Sequence, residues 1–126
     1  MYSKWHAIRA IDDTKQFTTA TDSLNTAVGH RAGYEVTTGI QNTLIGVRAG
    51  DALTDADYNV VMGTDALNAD TKGNKTTAIG FAALYNQNFT TSTDSHNVAV
   101  GANSGGNLTT GRYNVLLGRL AGDGTT

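Results

Sequence analysis

The chain has no cysteine and no proline, a single glutamate (Glu35), and only 16% charged residues over its 126 positions. Without cysteine, neither a disulfide framework nor a thiolate metal site can form. Nine Lys and Arg against 11 Asp and Glu leave a net charge of −2. No basic cluster stands out, which argues against nucleic acid as a partner. No apolar run approaches the roughly 18 residues that cross a bilayer, so membrane insertion is not expected. The stretch from Met1 to Asp13 carries Lys4, Trp5, His6 and Arg9 but no apolar segment, and it does not read as a signal peptide.

What is abundant is threonine, glycine and asparagine, together 46 of the 126 residues, while Leu, Ile, Val and Phe are sparse. That balance fits neither a packed α/β enzyme nor a highly charged disordered tail. The informative pattern is an internal repeat. Gly29, Gly46, Gly63, Gly80, Gly101 and Gly118 each follow a short apolar run, at spacings of 17, 17, 17, 21 and 17. Three residues after each glycine comes Ala32, Ala49, Ala66, Ala83, Ser104 or Ala121.

The residues before each glycine are β-branched or aliphatic, with Asn and Gly as punctuation, which reads as a short strand. A 17-residue period is too short for the helix pairs of tetratricopeptide or ankyrin arrays, which need about 33 residues. It suits one coil of a parallel β-solenoid. Six coils over residues 24–126 are expected, stacked about 4.8 Å apart, a rise of roughly 24 Å from first to last.

Alternation divides each strand into two faces. One carries Val28, Ile45, Met62, Ile79, Val100 and Leu117; the other carries Ala27, Leu44, Val61, Ala78, Ala99 and Leu116. Neither face is polar, and a coil this small covers only one of them with its own chain. The second column, Ala27 to Leu116, is expected to face a partner, most simply identical copies about a symmetry axis. Asn opens five of the six strands and is expected to form stacked ladders or to satisfy a turn.

The element Asn97-Val-Ala-Val-Gly101-Ala-Asn-Ser104 resembles the head repeats of trimeric autotransporter adhesins. The longer form Asn25-Thr-Ala-Val-Gly-His-Arg-Ala-Gly33 is similar to repeats of bacteriophage tail-fibre and related virion-appendage proteins. The resemblance covers residues 24–126. It implies a left-handed β-roll and a homotrimer packed about a common axis.

Residues 1–23 lie outside the repeat. Trp5, Ile8 and Ile11 are spaced three apart, and the segment reads either as a cap over the first coil or as an attachment arm that docks on another virion protein. Between Gly80 and Gly101 the unit is four residues longer, with the extra length around Asn86 to Ser95. Insertions in solenoids go to turns, often on the binding face. Tyr85, Asn86, Phe89 and Asp94 are therefore the candidate surface contacts, toward a host cell-surface glycan or protein or toward a neighbouring chain.

Chemistry is sparse. His6, His30 and His96 share no repeat column, and the paired acids Asp12-Asp13 and Asp55-x-Asp57 lack the cleft that carboxylate pairs need for glycoside hydrolysis. No Asp-x-Asp-x-Asp-Gly loop is present to hold calcium. Arg31 and Arg48 stack one coil apart, which predicts a solvated face or a shared anion. The expected protein is non-enzymatic, with no cofactor and no metal: a structural fibre or spike component of a phage particle, assembled in the host cytoplasm. A capsid head fibre or decoration protein is the nearest alternative, and a secreted adhesin head a more distant one.

Overall fold

The computed structural model describes residues 9–11 and 23–124. It is all-β among these residues, with nine short strands: β1 (Arg9–Ile11), β2 (Asn25–Val28), β3 (Thr43–Ile45), β4 (Val60–Met62), β5 (Gly73–Asn74), β6 (Thr77–Ile79), β7 (Thr93–Asp94), β8 (Val98–Val100) and β9 (Val115–Leu117). One sheet runs β1-β2-β3-β4-β6-β8-β9, and β5 pairs with β7 in a second. All of the repeat strands are parallel and in register: Ala27 pairs with Leu44, Leu44 with Val61, Val61 with Ala78, Ala78 with Ala99, and Ala99 with Leu116. Six parallel strands enclose about five turns of a β-solenoid, not six complete coils.

The coils are bonded to each other outside the strands as well. Gly33 N–H donates to the Ala49 carbonyl at 3.0 Å, Leu67 N–H to Ala83 at 2.9 Å, and Thr54 N–H to Thr71 at 2.9 Å. Each strand closes on its glycine because the next coil's backbone lies against it. A Cβ on Gly46, at φ +135°, would sit 2.5 Å from the Gly63 carbonyl oxygen, closer than any side-chain carbon is found.

The core corrects the assignment of the strand faces. Ala27, Leu44, Val61, Ala78 and Ala99 are fully buried within the single chain, against Ala32, Ala49, Ala66, Ala83, Val36 and Leu53. Leu116 is half-buried against the same cluster. The column expected at a partner interface is thus the chain's own interior. Ala32, Ala49, Ala66 and Ala83, three residues after their glycines, are buried in the same cluster and cover it, and the alternate column faces outward instead.

Volume inside the coil is conserved by exchange between positions. Gly50 makes room for Leu44 and Leu53, since a Cβ there would lie 3.0 and 2.7 Å from their methyl carbons. Where the corresponding wall position is polar, at Asp70 and Gln87, leucine takes the glycine position as Leu67 and Leu84, both fully buried. These leucines keep the left-handed backbone of the glycines they replace, with φ of 48° and 52°. Filling the core outweighs the roughly 1–2 kcal/mol cost of that conformation.

The asparagines that open the strands form a buried ladder. Asn42 donates from Nδ2 to Asn25 Oδ1 (3.1 Å) and across the coil to the Ala56 carbonyl (2.7 Å), while its own Oδ1 accepts from the Asn59 backbone and side chain (3.0 Å each). The ladder is interrupted at Thr76 and resumes between Asn97 and Asn114. At the buried rungs, Asn25, Asn42, Asn59 and Asn97, the atoms used here would otherwise be unsatisfied buried polar atoms.

At the N-terminal end, β1 pairs antiparallel with β2, with Arg9 opposite Ala27 and Ile11 opposite Asn25, so it occupies the outer edge of the first repeat strand. The positions of Trp5 and Ile8 lie outside the described residues.

Candidate interaction surface

Strand alternation aims Thr26, Thr43, Val60, Thr77, Val98 and Val115, with Val28, Ile45, Met62, Ile79, Val100 and Leu117, away from the coil interior. None of these is buried. Met62 and Val60 are about two-fifths exposed, and Leu117 and Val115 about two-thirds (42%, 40%, 66% and 68%). In-register stacking joins them into one apolar face along the solenoid. Val47 and Phe81, two residues past the ends of β3 and β6, are exposed as well.

The long turn is organised from within. Phe89 is buried, not a surface contact, because its N–H donates to the Asp70 carboxylate at 3.0 Å and its carbonyl accepts from the Thr71 hydroxyl at 2.9 Å. Asp70 is itself fully buried. It also accepts from Gly73 N–H (3.0 Å) and from Gln87 Nε2 (2.6 Å). Gln87 Oε1 in turn accepts from Asn97 Nδ2 at 2.8 Å, and the Thr76 and Ser95 hydroxyls meet at 2.6 Å. Burial pushes the Asp70 carboxyl above its usual value, against the pull of these hydrogen bonds.

Tyr85 and Asn86 are exposed in the turn that precedes the insertion. Asp94 instead reaches the edge ahead of the strands, where its carboxylate lies 2.6 Å from Lys75 Nζ and 3.9 Å from His96 Nε2. The hydrogen bond between Lys75 and Asp94 raises the lysine pKa and lowers that of the aspartate. The four residues expected to act together are therefore separated by the fold into a buried anchor (Phe89), two turn residues and one edge carboxylate.

Other charged residues are paired between coils. Arg31 meets Asp51 at 3.1 Å and Arg48 meets Asp65 at 2.7 Å. The repeated arginine column thus holds carboxylates of the next coil, and Arg31 also lies over the Tyr34 ring at 4.6 Å. Asp55 faces Lys72 at 3.7 Å, and Asp57 accepts the Ile40 N–H at 2.8 Å. Among the described residues no group of three or more His, Asp or Glu side chains is placed to hold a metal ion, and no helix is long and apolar enough to cross a membrane.

Sequence reasoning missed the Asp70 and Gln87 network. Its signal was an acid and an amide standing where the same repeat position is Val36, Leu53 or Leu108. The architecture and surface define an all-β solenoid repeat protein with one apolar flank. Comparison with known protein families, with characterised proteins and with solved structures gives no match to the chain.

Proposed function

We propose that the protein is a structural rod in a phage particle, a fibre or spike component built from three copies whose solenoids pack about a common axis. The observation that carries this reading is the outward strand face. A parallel sheet is normally covered on both sides, and here one side is covered by the chain while the other presents Val, Ile, Met and Leu to water along all of the coils. Burying each such side chain fully contributes about 1.5–3 kcal/mol, and a straight, in-register face repeats that gain at every coil.

The interface in this reading is Val28, Ile45, Met62, Ile79, Val100 and Leu117 with their neighbours two residues earlier. The resemblance of the repeat to adhesin heads and phage fibres supports three-fold, left-handed packing. The non-repeating residues 1–23 are the natural attachment to other virion proteins. Coil-to-coil bonding by the same backbone atoms gives a stiff spacer, and a stiff spacer fits a fibre.

Sedimentation equilibrium of the purified chain tests the assembly: a trimer is expected, and a well-folded monomer at micromolar concentration would overturn it. Immunogold labelling of particles tests the location. Label on tail appendages is expected, and label confined to the capsid surface would replace the fibre by a head decoration.

A further inference from the structure

The residue before each ladder position turns through the left-handed region. In four successive coils that residue is Tyr58, Lys75, His96 and Tyr113, at φ 60, 56, 50 and 61°. All four are exposed, and they rise along one edge at the coil spacing of about 4.8 Å. The His96 and Tyr113 rings stack, 5.3 Å between centroids and 14° between planes. Arg112 lies 5.4 Å from the Tyr113 centroid. The two rings thus stack from one coil to the next along this edge, on residues that are both exposed.

The one irregular unit of the repeat adds a carboxylate to this edge. Asp94, held by Asn74 Nδ2 at 3.4 Å while Ser92 takes the same donor at 3.1 Å, pairs with Lys75 and approaches His96. We infer that this edge binds a linear neutral saccharide, its sugar residues following the coils.

The chemistry of the groups selects that ligand class. A tyrosine hydroxyl both donates and accepts hydrogen bonds, an imidazole ring carries two polar nitrogens, and Lys75 with Asp94 places a donor and an acceptor side by side. Sugar hydroxyls also donate and accept, and a vicinal pair of them spans such a cation and carboxylate. A polyanion gains less from Lys75, because Asp94 already neutralises it at 2.6 Å; the other cation near this edge, Arg112, lies over the Tyr113 ring. The advance of one pyranose in an extended chain is close to the coil spacing, so successive sugars meet equivalent places on successive coils. The ring stack and the ion pair fix these side chains before binding, which lowers the ordering cost of the complex.

The edge residues stand two positions before the outward-facing Val60, Thr77, Val98 and Val115, and the inference rests on their own contacts and not on the trimer. The test is titration of the full chain with linear hexasaccharides of glucose, mannose and galactose, with hexagalacturonate as the acidic comparison, read by calorimetry and NMR line broadening. At least one neutral hexasaccharide is expected to bind saturably, with affinity reduced about tenfold by Tyr113→Ala and by Lys75→Ala. Tyr85→Ala, outside the edge, leaves it unchanged. Tyr113→Phe keeps the ring and is expected to lose affinity too, which gives a readout even where Tyr113→Ala does not fold. The inference is overturned by no binding of any neutral hexasaccharide, by tighter binding of hexagalacturonate, or by variants that bind as the parent does. It is also overturned if Tyr113→Phe or Lys75→Ala changes the sedimentation coefficient, which would assign the edge to a contact between chains.

Discussion

Gln87 donates from Nε2 to the Asp70 carboxylate at 2.6 Å inside the coil, and both side chains are fully buried. They stand one coil apart on the wall where Val36, Leu53 and Leu108 fill the neighbouring coils. The pair is the point from which the long turn is held, since Phe89 and Gly73 also donate their N–H groups to Asp70. An apolar wall here would leave the turn's first residues without acceptors.

Replacing Asp70 by leucine should therefore destabilise the protein although it makes the wall more hydrophobic. Three donors lose their acceptor at once, each costing about 1–3 kcal/mol when left unsatisfied. Equilibrium urea unfolding is expected to show a loss of about 3–5 kcal/mol. An unchanged midpoint would mean that the turn holds itself.

The same carboxyl sets a pH dependence. Burial raises its pKa above the usual 3.8. A carboxyl that binds its proton more tightly folded than unfolded contributes stability that is complete below the unfolded value and is lost as pH rises through the folded one. Asp70→Asn removes that loss. Melting midpoints measured from about pH 3 to about pH 7 should fall for the parent relative to this variant, and parallel curves would count against the buried carboxyl as their cause.

The two strand faces should respond differently to charge. Leu44→Asp places a carboxylate in a fully buried position, at a cost of several kcal/mol, and is expected to abolish the folded circular dichroism signal. Met62→Asp, on the outward face, should leave the coil folded while sedimentation reports loss of assembly. Retained assembly in Met62→Asp would move the interface elsewhere.

The glycine column gives an internal comparison. Gly63→Ala drives its Cβ to 2.5 Å from the Gly80 carbonyl oxygen at φ +134°, whereas at Gly118, φ +110°, nothing lies within 4 Å. Gly118→Ala carries backbone strain alone, and Gly63→Ala carries strain plus a clash between coils. Thermal melting should rank Gly63→Ala well below Gly118→Ala, and equal midpoints would show that the coils separate freely at this column.

The strands, their parallel register and the asparagine ladder were legible because each rests on a residue type repeated at a fixed interval. Which strand face points inward was not. Val61 and Met62 are both apolar, so alternation separates the faces without orienting them. What decides is that Ala66 and Leu67 are buried in one cluster with Val61. Leu67 and Leu84, which stand where other coils have glycine, compensate the polar wall positions Asp70 and Gln87, a relation between residues three apart inside one coil that a column-by-column reading does not compare. Phe89 carried the same ambiguity: an aromatic in an insertion reads as a contact until its backbone partner, Asp70, is located in space.

Because coils other than the long one are joined to the next by equivalent atoms at i and i+17, as between Asn25 and Asn42 and between Asn42 and Asn59, the length of the molecule is quantised. Gaining or losing one 17-residue unit by unequal recombination changes the reach by about 4.8 Å and recreates the same junction on either side of the splice. The gene thus encodes a ruler with interchangeable divisions. The two divisions that share the Asp70 and Gln87 pair are the exception: the pair joins one to the next, so duplicating or deleting either of them alone would strand half of the network.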